Sequence, residues 1–116
     1  MSREFKFRVY SFLDKEFHYF DIYEGVPQGI AGGVSEPQQY TELKDIKGNP
    51  IYEGDVLKFT ARRKLEDKVP VINYGGSYGC IVTDETDFKE FWNLSHIVQQ
   101  YYPRIIGSVH DNDLNY

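Results

Sequence analysis

The chain has 116 residues, of which 41% are hydrophobic and 16% aromatic, and a formal net charge of -5. That length predicts one domain made of two subdomains sharing a core, with ten Tyr, eight Phe and one Trp supplying its bulk. The negative charge opposes non-specific phosphate binding over the surface as a whole, the single Cys80 excludes an internal disulfide framework, and no stretch is long and apolar enough to span a membrane.

Residues 3–10 alternate, with Phe5, Phe7 and Val9 on one face and Lys6, Arg8 and Tyr10 on the other. This is the period of a half-buried strand. Because the basic and aromatic side chains fall on opposite faces, the expectation is a solvated Lys and Arg face over a buried Phe face. A nucleic-acid stacking platform needs the two together. Residues 12–16 read as a turn, and 17–23 as a second strand that is aromatic on both faces. Such a strand is expected to be covered twice, by the other half of the protein or by a partner. His18 has no Cys or second His at metal-ligand spacing and reads as a strand histidine. Residues 24–37 hold Gly25, Gly29, Gly32, Gly33, Pro27 and Pro37 but lack the Lys and Ser/Thr of a phosphate loop, so they read as a flexible connector.

The chain is organised around residues 39–58. Asp45-Ile46-Lys47-Gly48 pairs a turn-forming carboxylate with a glycine free to take positive φ, so Leu43 and Ile51 flank a short hairpin with a Gly bulge. Glu53-Gly54-Asp55 turns the chain again into Val56-Leu57-Lys58-Phe59, a strand by composition. Residues 55–61, 69–74 and 78–83 then form three strands, with Pro70 restricting the second to an edge or a late start. Arg62-Arg63-Lys64 make a basic hairpin tip, offset by Glu66 and Asp67. Short reversals joining strands in this way predict a small SH3-like barrel.

Between 84 and 102 the period changes. Phe88, Phe91, Trp92, Ser95, Val98 and Tyr102 fall at helical spacing, Leu94, Ile97 and Tyr101 widen the stripe, and Pro103 stops it. Asp84, Thr86 and Asp87 are the expected caps. Residues 104–110 read as the final strand and 111–116 as a polar tail.

No catalytic constellation emerges. Cys80 with His96 or His110 lacks a third orienting group and reads as a core thiol. His110-Asp111-Asn112-Asp113 lacks the Gly and distal Glu of a calcium loop. Glu53 and Asp55 flank a turn glycine and read as solvated turn-formers rather than a paired acid and base. No catalytic residue, metal or cofactor is therefore assigned, and no enzymatic activity is expected.

The run Gln39, Tyr40, Thr41, Leu43, Asp45, Gly48, Ile51, Tyr52, Glu53, Gly54, Asp55 resembles the signature of the YopX family of phage and prophage proteins. Residues 3–8 are similar to that family's opening strand and 105–112 to its closing one. Glu42 stands where the family usually has Gly. The resemblance implies an SH3-type barrel in the C-terminal half, a phage-encoded protein in the cytoplasm of a bacterial host, and no established activity.

The fold class expected is α+β, mainly β. A β subdomain spans 1–52, with the Gly-rich loop and hairpin. An SH3-like barrel subdomain spans 53–116, with the helix 84–102 inserted before the last strand. The leading function is a non-enzymatic accessory protein that self-associates or contacts an unidentified host or phage protein. Tyr19, Tyr23, Trp92 and Tyr101 are the candidate interface residues, because strand 17–23 and the helix stripe look too apolar for a monomer. The alternative is a nucleic-acid-binding module on the small barrel. The signature residues themselves are read as architectural.

Overall fold

A computed structural model describes residues 6–62, 65–83, 86–111 and 114. Phe5 of the expected first strand, Arg63 and Lys64 of the basic tip, Asp84, and Asn112 and Asp113 of the tail lie outside the described residues. The architecture is mainly β with one helix, the fold class expected.

Strands β1 (Lys6–Ser11), β2 (Glu16–Asp21), β3 (Gln38–Lys44) and β4 (Pro50–Tyr52) form a sheet of order β2-β1-β3-β4. Antiparallel register sets Arg8 opposite Tyr19 and Tyr10 opposite Phe17. The loop 24–37 returns along β1 and is tied to it at its end. Ser35 N–H donates to the Tyr10 carbonyl at 2.9 Å, and Phe12 N–H to the Gly33 carbonyl at 3.3 Å.

The hairpin between β3 and β4 forms as its residues predict. Gly48 takes φ +83 and its N–H donates to the Asp45 carbonyl at 3.0 Å, while Asp45 N–H donates to the Asn49 carbonyl at 2.9 Å. Between the Tyr40–Tyr52 and Lys44–Pro50 pairs the register slips, and Glu42 sits in the slip at φ 71. Positive φ is a conformation that glycine takes most readily, and Glu42 adopts it in the irregularity. Thr41 Oγ1 braces the irregularity, donating to the Ile51 carbonyl at 2.7 Å and accepting Leu43 N–H at 3.3 Å.

Two further three-stranded sheets curl into a small half-barrel. One has order β10-β5-β6, from β5 (Asp55–Arg62), β6 (Leu65–Pro70) and β10 (Arg104–Ser108). The other has order β7-β8-β9, from β7 (Ile72–Tyr74), β8 (Ser77–Thr83) and β9 (Lys89–Asn93). The single strand expected over 69–74 is split. Pro70 ends β6, and buried Val71 turns the corner, its N–H donating to the Asp55 carbonyl at 2.8 Å and its carbonyl accepting Gly54 N–H at 2.9 Å. A proline without a donor ends the first ladder, and the chain changes sheets there.

The helix expected over 84–102 is shorter. Residues 89–93 are strand β9, with Trp92 opposite Cys80 and Phe91 opposite Ile81, and only α1 (Leu94–Tyr101) is helical. Thr86 and Asp87 precede β9 in the chain, seven and six residues before the N-cap of α1. The cap is Asn93, whose side chain accepts Ser95 N–H at 3.0 Å. The aromatic run Phe91-Trp92 suits a strand beside β8 as well as a helix stripe, and the ladder with β8 decides between them. The core gathers Ile51, Leu57, Phe59, Val71, Cys80, Val82, Leu94 and Ile97. Leu94 and Ile97 lie three apart on one helix face, which turns the helix onto the barrel.

Candidate functional site

The seam between the N-terminal sheet and the half-barrel holds two buried charges, Arg8 and Asp55. Arg8 points from β1 into this seam and is 4% exposed, so the solvated basic face expected of β1 does not exist at this position. Its Nη2 meets Asp55 Oδ1 at 2.8 Å and reaches the Glu53 carbonyl at 3.4 Å, and its Nε donates to Gln38 Oε1 at 2.9 Å. The guanidinium lies over the rings of Phe17 at 3.9 Å and Tyr52 at 4.8 Å. Basic and aromatic groups thus share a face. The sequence shows the period of β1 but not which strand lies opposite, and the pairing with β2 puts Phe17 and Tyr19 beside Arg8.

Asp55 is likewise buried, where a solvated turn-former was expected. Its second oxygen accepts Tyr52 N–H at 2.8 Å, closing the 52–55 turn. Burial pushes its carboxyl above the ordinary value, against the pull of the Arg8 guanidinium and the Tyr52 N–H. Gly54 completes the turn at φ +87, and its carbonyl accepts Val109 N–H at 2.8 Å. The turn therefore ties β4 to β10.

A second carboxylate, Asp45, fastens the other end of the hairpin. Oδ1 accepts Lys47 N–H at 3.0 Å and Asn49 N–H at 2.8 Å, and Oδ2 accepts Ile105 N–H at 3.1 Å from β10. Burial raises the pKa of this carboxyl, but the N–H groups of Ile105, Asn49 and Lys47 outweigh it and hold it below its ordinary value. The remaining signature residues are placed in the same fabric. Gln39 accepts the Tyr78 hydroxyl at 2.9 Å, Tyr40 and Ile51 are buried, and Leu43 packs on the core.

Beside the ion pair opens a cleft of about 620 Å³, bordered by Lys6, Arg8, Tyr19, Glu24, Tyr52 and Asp55 among others. Tyr19 and Tyr52 form its aromatic wall, with ring centroids 5.4 Å apart. A shallower groove of about 460 Å³ lies on the other side of the 52–55 turn, next to His110. The His110 ring stacks on Tyr10 at 4.4 Å, nearly parallel, and its Nε2 is 3.5 Å from Gln38 Nε2. Burial, then the nearby Arg8 charge, lower the His110 pKa. Sequence reasoning missed Arg8, Gln38 and His110 as one cluster, and nothing in their spacing marks it.

The four candidate interface residues divide. Tyr23 is 94% exposed and Tyr19 56%, both on the β1–β2 hairpin and the turn after it. Trp92 and Tyr101 stack on each other at 5.3 Å and pack against the core. The dispersed chemistry stays dispersed. Cys80 is buried in the core and its thiol is pushed up to about 12, while His96 lies edge-on to Trp92 and Tyr101. Asp14, Glu16 and His18 bring three potential metal-ligand atoms within 4.8 Å of one another, a grouping the sequence reading did not make. Both carboxylates are exposed, and one hairpin supplies all three groups.

A model of the family described as YopX protein matches residues 34–114. The chain belongs to the YopX family. The matched span takes in the whole signature run, both hairpin turns and the half-barrel, and it starts after β1 and β2. Arg8 thus comes from outside the matched span to neutralise Asp55 within it. No curated protein matches the chain at a significant level. Among the described residues no helix is long and apolar enough to cross a membrane.

Proposed function

We propose that this YopX-family protein is a non-enzymatic interaction module that associates through the outer edge of β2, with a second copy of itself as the leading partner. One observation carries the reading. Phe12, Leu13, Tyr19, Ile22 and Tyr23 are all more than half exposed, and all lie on or just beyond the hairpin whose outer strand is the sheet edge. An apolar edge strand without Lys or Pro in it invites pairing with another strand.

The edge also has backbone groups to offer. Asp21 N–H donates to Glu24 Oε1 at 3.0 Å and its carbonyl accepts Gly25 N–H, so the Asp21 backbone faces away from β1. By the two-residue period of a strand, Tyr19 and Phe17 face the same way. Because the Asp21 groups are held by Glu24 and Gly25, antiparallel pairing centred on Tyr19 uses the Tyr19 N–H and carbonyl of both copies, and it sets Glu16 opposite Ile22 rather than opposite another carboxylate.

Sedimentation velocity across a wide micromolar dilution range tests this. The expected result is a species above the 13.6 kDa monomer that dissociates on dilution. Tyr19→Lys with Tyr23→Lys should leave a folded monomer. A single monomeric species at every concentration of the parent protein counts against the reading.

A further inference from the structure

We propose that the cleft beside the Arg8–Asp55 pair is a binding site for a carboxylate with an aromatic body. Three hydrogen-bond donors on residues that line it have no partner among the described residues. The Arg8 side chain is 95% buried, and its Nε and Nη2 are engaged by Gln38, Glu53 and Asp55. Its Nη1 donates to no group among the described residues, yet it is not sealed from solvent, and the space Arg8 borders is this cleft. The hydroxyls of Tyr19 and Tyr52, on the cleft wall, likewise have no hydrogen-bond partner among the described residues. A buried guanidinium edge with two phenol donors suits a planar acceptor pair.

The carboxylate nearest Arg8 is already engaged through both its oxygens, and Asp21 and Glu24 each have one oxygen held in the turn that follows β2. Asp55 takes Arg8 and Tyr52 N–H, Asp21 Oδ1 takes Tyr23 N–H and Glu24 N–H, and Glu24 takes Asp21 N–H. At the Arg8 end the cleft therefore presents donors rather than acceptors. Its formal charges are Lys6 and Arg8 against Asp21, Glu24 and Asp55, one negative in excess. That balance works against any anion, about twice as strongly against a phosphate dianion as against a carboxylate, so selection for a carboxylate rests on the donors. The exposed ring of Tyr19 and the apolar flanks of Pro50 and Ile105 accept an aromatic body. The carboxylate could come from a small free acid or from the C-terminus of a chain, and the geometry at Arg8 is the same for both.

NMR titration of the ¹⁵N-labelled protein tests the site, with phenylacetate, phenylacetamide, inorganic phosphate, and a short peptide ending in Phe with a free or amidated C-terminus. The expected result is saturable shifts at cleft residues with phenylacetate, with a dissociation constant on the order of 1 mM for so small a ligand. The amide and phosphate should shift them little. A free-ended peptide that binds more tightly than phenylacetate, and loses its grip when amidated, identifies a chain end as the source. Equal or weaker binding by the peptide identifies a free acid. Tyr19→Phe and Tyr52→Phe keep the rings and should each weaken binding by about tenfold. Arg8→Lys, checked for folding by circular dichroism, should abolish it. The proposal is overturned if neither acid gives saturable shifts in the cleft, if phenylacetamide binds as well as the acid, or if both Phe variants bind like the parent.

Discussion

Arg8 and Asp55, 47 residues apart in the chain, meet as a buried ion pair at 2.8 Å that joins the first strand to the entry of the half-barrel. Each is also fixed by a second partner, Arg8 by Gln38 and Asp55 by the Tyr52 N–H. The pair therefore sets the distance between the two halves as well as neutralising two buried charges.

Breaking that pair from one side should be costly, because the other charge is left buried. Arg8→Met is expected to lower unfolding stability by about 3 kcal/mol or more. Arg8→Met combined with Asp55→Leu should cost less than the sum of the two single changes, since no lone charge then remains. Urea denaturation of the four proteins checks this, and strict additivity would argue against any coupling.

The two signature glycines are strained for a side chain to different degrees. Gly48 and Gly54 both hold positive φ, but a Cβ at Gly48 meets nothing within 4 Å. One at Gly54 would fall 2.1 Å from Gln38 Nε2 and 2.9 Å from its Cδ. Displacing Gln38 also disturbs its bond to Arg8. Gly48→Ala should cost about 1 kcal/mol, and Gly54→Ala clearly more. Melting temperatures in the reverse order would mean that the 52–55 turn relaxes freely.

Two groups make the fold sensitive to acid. Asp45 is held below its ordinary value, so its contribution is complete above the unfolded value of about 3.9 and is lost as pH falls through the folded one. The stability gap between the parent and Asp45→Ala should thus be wide at pH 7, about 2 kcal/mol or more, and narrow towards pH 2. His110 is also lowered, so the unfolded chain takes up its proton first. Stability should fall as pH drops below about 6.5 and level off once the folded His110 is protonated too. His110→Phe keeps the stacking on Tyr10 and should remove this step. An unchanged step in denaturation curves between pH 7 and pH 5 would assign it to another group.

Cys80 should be inert in the native state. It has no exposed surface, and burial, with the Asp67 charge, pushes its thiol up to about 12. Ellman's reagent at pH 8 is expected to titrate no thiol in buffer and one in denaturant. Rapid reaction in buffer would mean that the core around Val82 and Ile97 opens readily.

The sequence by itself determined the parts set by local chemistry. Asp45 with Gly48, and Gly54 before Asp55, reverse the chain where their backbone freedom and turn-forming side chains require it. Alternation over β1 and the run into β5 announced strands, and the signature run announced the family. Tertiary structure alone decided what lies opposite each element. Phe91 and Trp92 fit a helix stripe or a strand equally well, and pairing with β8 made them β9. Period told that Arg8 and Val9 face opposite ways, but not that both faces would be buried there. That depended on Asp55 arriving from 47 residues away, because a buried guanidinium is tolerated only where a carboxylate and hydrogen-bond acceptors meet it.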